Sequence, residues 1–163
     1  MTAPPLRVLL GVGLIAAATL ALQVLLTRVL SAVLFYHFGF LAISLALLGI
    51  GAGALVIYVR PALVEGRSVE RLLAFSSAAF ALLMPVVAAL LVRIDYTYTE
   101  VTAGFVARLA LACSLAVLPF LAAGVTLAVA IRSYTPWIGR VYAFDLAGAA
   151  LGAAGVVPLL WSV

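Results

Sequence analysis

"VYAFDLAGAALGAAGVVPLL", residues 141–160, decides the fold. A run of about 20 apolar residues is what an α-helix needs to cross the hydrocarbon core of a bilayer. This run has that length, yet it carries a carboxylate, Asp145, one turn inside its start. An acid so placed needs either a partner or a task, and the rest of the chain supplies the setting.

That setting is a membrane. Of the 163 residues, 68% are hydrophobic and 9% charged, and the mean hydropathy is +1.38. So few charges cannot cover the surface of a water-soluble domain of this length. The nine basic residues are all arginine and are scattered between apolar runs, so a net charge of +4 gives no reason to expect nucleic acid as a partner. The lone Cys113 excludes an internal disulfide framework and a thiolate metal site.

Five runs are long enough to span: 8–27, 33–59, 72–92, 109–131 and 141–162. The first is too long for a signal peptide and is followed by Thr27, Arg28 and Val29 rather than a small-x-small cleavage site, so it is read as a retained helix. Short connections join the runs, and the expected fold is all-α, a polytopic helical membrane bundle forming a single transmembrane domain over 1–163, with no soluble catalytic domain.

The arginines set the orientation. Arg60, Arg67 and Arg71 lie in one connection and Arg132 and Arg140 in another, whereas Arg93 shares its connection with Asp95 and Glu100. Positive-inside counting places the first two connections, Arg7 and the N-terminus in the cytoplasm, as in a bacterial inner membrane. The aromatics divide the same way: Phe35, Tyr36, Phe38, Phe40, Tyr96, Tyr98 and Trp161 form an outer belt, and Tyr58, Tyr134, Trp137 and Tyr142 an inner one.

Small residues mark where helices approach closely. Gly39, Ala42, Ala46, Gly49 and Gly53 fall on one face of the second span, and Asp145, Gly148, Gly152 and Gly155 on one face of the fifth. Each stripe holds a G-x-x-x-G pair, Gly49/Gly53 and Gly148/Gly152, and each is expected to pack against the other or against a partner, whether another membrane subunit or a second copy. "GIGAGA" (49–54) lies within an apolar run rather than between a strand and a helix, which excludes a nucleotide-binding loop. Pro85, Pro119 and Pro158 are read as kinks.

The polar residues within the spans are few. Asp145 points into the bundle with the glycines, where Arg7, Arg60 or Arg132 could reach it, in a structural ion-pair or helix-cap role or as a substrate or proton site. Gln23, Thr27 and Arg28 form a second candidate polar site at the outer end of the first span, Arg28 snorkelling to the headgroups. His37, in "FYHFGF", has no second ligand at metal spacing. No catalytic residue, cofactor site or metal site emerges, because no paired carboxylates, Ser/His/Asp set or glycine loop is present in the right context.

"LQVLLTRVLS" (22–31), "ISLALLGIGAGAL" (43–55), "PFLAAGVTLAVAI" (119–131) and "IGRVYAFDLAGAALGAAGVVPLL" (138–160) together resemble the N-terminal membrane region of bacterial membrane-bound spermidine synthase-like proteins, relatives of the polyamine aminopropyltransferases. The resemblance rests on Thr27, Arg28, Ser31, Gly49, Gly51, Pro119, Gly124, Tyr142, Asp145, Gly148, Gly152 and Pro158. Gln23 stands where that family commonly has glutamate, and the family's Rossmann-like domain for decarboxylated S-adenosylmethionine and a polyamine is missing from the sequence. The resemblance therefore implies a non-catalytic membrane module that anchors or scaffolds a catalytic domain or partner subunits. Two alternatives stand beside it: a transporter for a small cation or polyamine, and an accessory subunit of a larger membrane complex. The last residues, "LLWSV", carry no polar tail, as expected of a piece of a longer protein or of a short relative.

Overall fold

The computed structural model describes residues 3–33, 39–93 and 102–161. Within them the chain forms five α-helices: α1 Leu6–Val33, α2 Gly39–Val59, α3 Val69–Arg93, α4 Ala103–Ser133 and α5 Ile138–Trp161. All five are long and apolar enough to cross a membrane. Among the described residues there is no strand.

The spans match the five apolar runs, with boundary corrections: α2 begins at Gly39 rather than 33, since Val33 belongs to α1, and α3 and α5 each begin three residues early. α1 continues through Arg28 to Val33 instead of ending at 27, because Leu26 and Leu30 are buried one turn apart and hold the last turns onto the bundle. α4 begins at 103 rather than 109, since Thr102 is extended and its hydroxyl accepts the Phe105 N–H at 3.3 Å, an N-cap. The aromatic link with Phe35, Tyr36, His37 and Phe38 lies outside the described residues, as does the segment with Asp95, Tyr96, Tyr98 and Glu100.

Successive helices run in opposite directions, and contacts skip along the chain. α2 packs chiefly on α4, α5 chiefly on α1, and α3 on α4. Both glycine stripes are used in these contacts. A Cβ placed on Gly49 would sit 2.5 Å from the Phe120 Cβ, and one on Gly53 would sit 2.7 Å from the Val125 nitrogen. On α5, a Cβ at Gly148 would lie 2.6 Å from the Gly13 Cα, and one at Gly152 would lie 2.7 Å from the Ala17 Cα. No side chain fits at these positions, so glycine is what lets backbone meet backbone and gain the dispersion that drives helix association in lipid. The stripes thus face α4 and α1 of the same chain and do not face each other. Gly155 is a correction: nothing lies within 4 Å of a Cβ built there, and the packed face continues through buried Val156 instead.

A polar contact holds α3 to α4. Thr126 and Ser76 are both buried, and their hydroxyls are 2.9 Å apart, while each also bonds a carbonyl of its own helix. Every buried hydroxyl oxygen of this pair is therefore satisfied without water, as hydrocarbon surroundings demand. Pro85, Pro119 and Pro158 all fall inside helices, as expected, and remove one backbone donor each.

At one end of the bundle the α2–α3 connection turns through Gly66, whose φ of 75° lies in the left-handed region. Six of the nine arginines gather at this end: Arg7, Arg60, Arg67, Arg71, Arg132 and Arg140. The remaining three, Arg28, Arg93 and Arg108, belong to the opposite end.

Candidate functional site

Asp145 lies in the second turn of α5, on the side of the helix that meets α1, between buried Val141 and buried Gly148. It is half-buried. Of the arginines expected to reach it, Arg7 and Arg132 are engaged elsewhere. Arg7 forms an ion pair with Glu70 at the start of α3. Arg132 donates to the Ile57 carbonyl at 3.3 Å and to Glu65 at 3.3 Å. Arg140 lies over the Trp137 ring, 4.8 Å from its centroid. Asp145 itself makes no hydrogen bond or ion pair with any described residue, so the expectation of an internal arginine partner is corrected. The physical reason is geometric: α5 contacts little beyond α1 and the start of its own hairpin, and on α1 the residues at this level are apolar.

The second candidate set does not join it. Thr27 donates its hydroxyl to the Gln23 carbonyl at 2.8 Å, one turn back along α1. Thr27 and Ser31 also form the surface on which Gly39 sits, so they close the α1–α2 hairpin. Arg28 is exposed. α1 and α5 run parallel with Gly13 opposite Gly148; at 1.5 Å per residue, Gln23 stands roughly 20 Å further along the bundle than Asp145. These residues are two separate features.

Two cavities run between α1 and α3. The first, about 340 Å³, is walled by apolar side chains including Leu22, Leu26, Met84, Pro85, Pro119 and Phe120. The second, about 310 Å³, opens at the arginine-rich end and is lined by Arg7, Gly11, Glu70, Ser77 and Thr126. Neither is lined by Asp145, Gln23, Thr27 or Arg28. Sequence reasoning missed Glu65 and Glu70, the acids that neutralise Arg132 and Arg7, and missed the Ser76–Thr126 pair. Their signal was available as isolated polar residues in or beside α3 and α4, but which of them face one another depends on helix pairing. Among the described residues no group of three His, Cys, Asp or Glu side chains comes together as a metal site would require.

The site therefore reduces to one acid with no partner among the described residues, on α5, whose Tyr142, Leu146 and Val157 form an exposed outer face. No family model matches the chain, and no curated protein or solved structure matches it either.

Proposed function

We propose that this chain is a non-catalytic integral membrane module that anchors or scaffolds a catalytic domain or partner subunits, with its N-terminus in the cytoplasm of a bacterium. The observation that carries the reading is Asp145. An acid within a membrane span costs up to about 3 kcal/mol at the bilayer centre and is ordinarily paired or put to use. Here Arg7, Arg132 and Arg140 are engaged with Glu70, Glu65 and Trp137, and the acid sits on one of the two least buried helices, α5, which shares that place with α3. A partner that approaches α5 would complete it. The gathering of six arginines at one end supports the orientation, and the Tyr142, Asp145, Gly148, Gly152 pattern supports kinship with the spermidine synthase-like membrane region.

The transporter reading fits less well. The cavity with polar lining holds Glu70, but Arg7 already neutralises it, and Asp145 is outside that cavity. The test is uptake of spermidine and of smaller amines by the full chain in proteoliposomes, together with photo-crosslinking from Leu146 in native membranes. The scaffold reading expects no uptake, and a crosslink to one defined partner that Asp145→Asn weakens. Uptake that disappears with Asp145→Asn while the protein melts normally overturns it.

A further inference from the structure

We infer that α1–α2 and α4–α5 are two copies of one helical hairpin, inverted with respect to each other in the membrane, with α3 as the element that joins them. The pairing is visible first in the contacts. Each hairpin's second arm packs in parallel on the first arm of the other hairpin: α5 on α1, and α2 on α4. The close approaches fall on the same glycine spacing in the two second arms. Gly148 and Gly152 of α5 meet Gly13 and Ala17 of α1; Gly49 of α2 meets Phe120, Val117 and Leu121 of α4, and Gly53 meets Leu121, Val125 and Gly124. Gly49 then answers to Gly148 and Gly53 to Gly152, and the contacts allow Phe120 as the counterpart of Gly13 and Gly124 as that of Ala17.

Of the α1–α4 registers that these contacts allow, this one also aligns features beyond the glycines. Thr19 falls on Thr126; these are buried threonines, and each donates to the carbonyl four residues back, Ile15 and Ala122, which are themselves equivalent positions. Around them "LIAAATLALQ" (14–23) lies on "LAAGVTLAVA" (121–130), with Leu14, Ala16, Thr19, Leu20 and Ala21 recurring as Leu121, Ala123, Thr126, Leu127 and Ala128. In the second arms, buried Ala42 and Ile57 fall on buried Val141 and Val156. A two-fold axis lying in the membrane plane requires equivalent stretches of α1 and α4 to face each other where they cross. They do: Ile15 shares a core cluster with Ala122 and Ala123, the counterparts of Ile15 and Ala16.

Two consequences follow. Inverted repeats in transporters bind substrate near mid-membrane where the halves meet; here that place is filled by Ile15, Phe80, Ala122 and Ala123, so the repeat is built as a packed frame. Asp145 answers to Ala46, a fully buried alanine, so one copy packs correctly with no acid at this position.

The inference is tested on the full chain in two ways. In an experimental structure from nanodiscs, a half-turn about an in-plane axis should lay α1–α2 on α4–α5 with Thr19 on Thr126 and Gly49 on Gly148; any other register, or hairpins entering from the same side, overturns it. In a melt, the triple exchange Phe144→Leu, Asp145→Ala and Val156→Ile installs what α2 has at the equivalent positions and should unfold with the parent. The control Phe144→Ala, Asp145→Leu and Val156→Tyr installs the same helix shifted by one residue and should unfold well below it. Equal loss in the two triples overturns the inference.

Discussion

Replacing Gly148 by alanine adds one methyl group, and the structure says what it meets. The new Cβ would lie 2.6 Å from the Gly13 Cα and overlap that residue's carbonyl oxygen. Comfortable carbon contacts are about 3.5–4.0 Å, so α5 must back away from α1 by roughly 1 Å. Because the obstacle is main chain, no side-chain rotation relieves it, and the cost belongs at the upper end of the range for overpacking, about 3 kcal/mol. Alanine recovers about 0.5–1 kcal/mol through its better helix propensity, leaving a net loss of about 2 kcal/mol. Gly155 supplies the internal control, since a Cβ there meets nothing within 4 Å; Gly155→Ala keeps the propensity gain alone and should be stabilised by up to about 1 kcal/mol. Reversible unfolding in mixed micelles, with both variants measured against the parent, reads the difference of about 3 kcal/mol. A Gly148→Ala protein as stable as Gly155→Ala would refute the claim that backbone contact between α1 and α5 holds this helix in place.

Thr126→Val keeps the shape of the side chain but removes the contact with Ser76 and leaves that hydroxyl with only its own helix; unfolding should show a loss of about 1 kcal/mol, in the range of interhelical hydrogen bonds in membranes. Glu70→Gln breaks an ion pair whose side chains are 73% and 60% exposed, so its effect on the melt should stay within a few tenths of a kcal/mol and vanish at high salt. Asp145→Asn should melt with the parent, because no described residue pairs with the carboxylate; a large loss would reveal a structural partner within the chain. Gly53→Leu should prevent assembly of α2 on α4, seen as aggregation in size-exclusion chromatography, whereas Gly51→Leu, with open space at its Cβ position, should remain monodisperse.

The spans were legible in the sequence because lipid leaves the backbone few options: a run of about 20 apolar residues must be a helix whatever its neighbours do. The stripe of Gly49 and Gly53 and that of Gly148 and Gly152 were legible for a related reason, since periodicity reveals which face is packed. What lies opposite such a face was not legible. Glycine carries no chemistry that selects a partner, so nothing in "GIGAGA" or "LAGAALG" distinguishes α4 from α5, or an internal helix from a second subunit. The same limit misassigned the arginines: Arg7, Arg60 and Arg132 were each within a plausible reach of Asp145, and only the assembled bundle, which brings the start of α3 to Arg7 and the α2–α3 turn to Arg132, directs Arg7 to Glu70 and Arg132 to Glu65. Gln23, Thr27 and Arg28 looked like one site because they are neighbours in sequence, whereas the helix uses Thr27 for its own backbone and for seating Gly39, and turns Arg28 outward.

The central claim is that five helices cross the membrane with the arginine-rich end in the cytoplasm. Thiol labelling in intact cells tests it most directly, using an impermeant reagent on a Cys113→Ala background with a single new cysteine in place of Ser68, Thr135 or Thr102. Ser68 and Thr135 belong to the two connections at the arginine-rich end and Thr102 caps α4 at the other, so the account predicts labelling of Thr102→Cys in intact cells and of the other two only after the membrane is permeabilised. Labelling of Ser68→Cys or Thr135→Cys in intact cells, or all three reacting from one side, would contradict it.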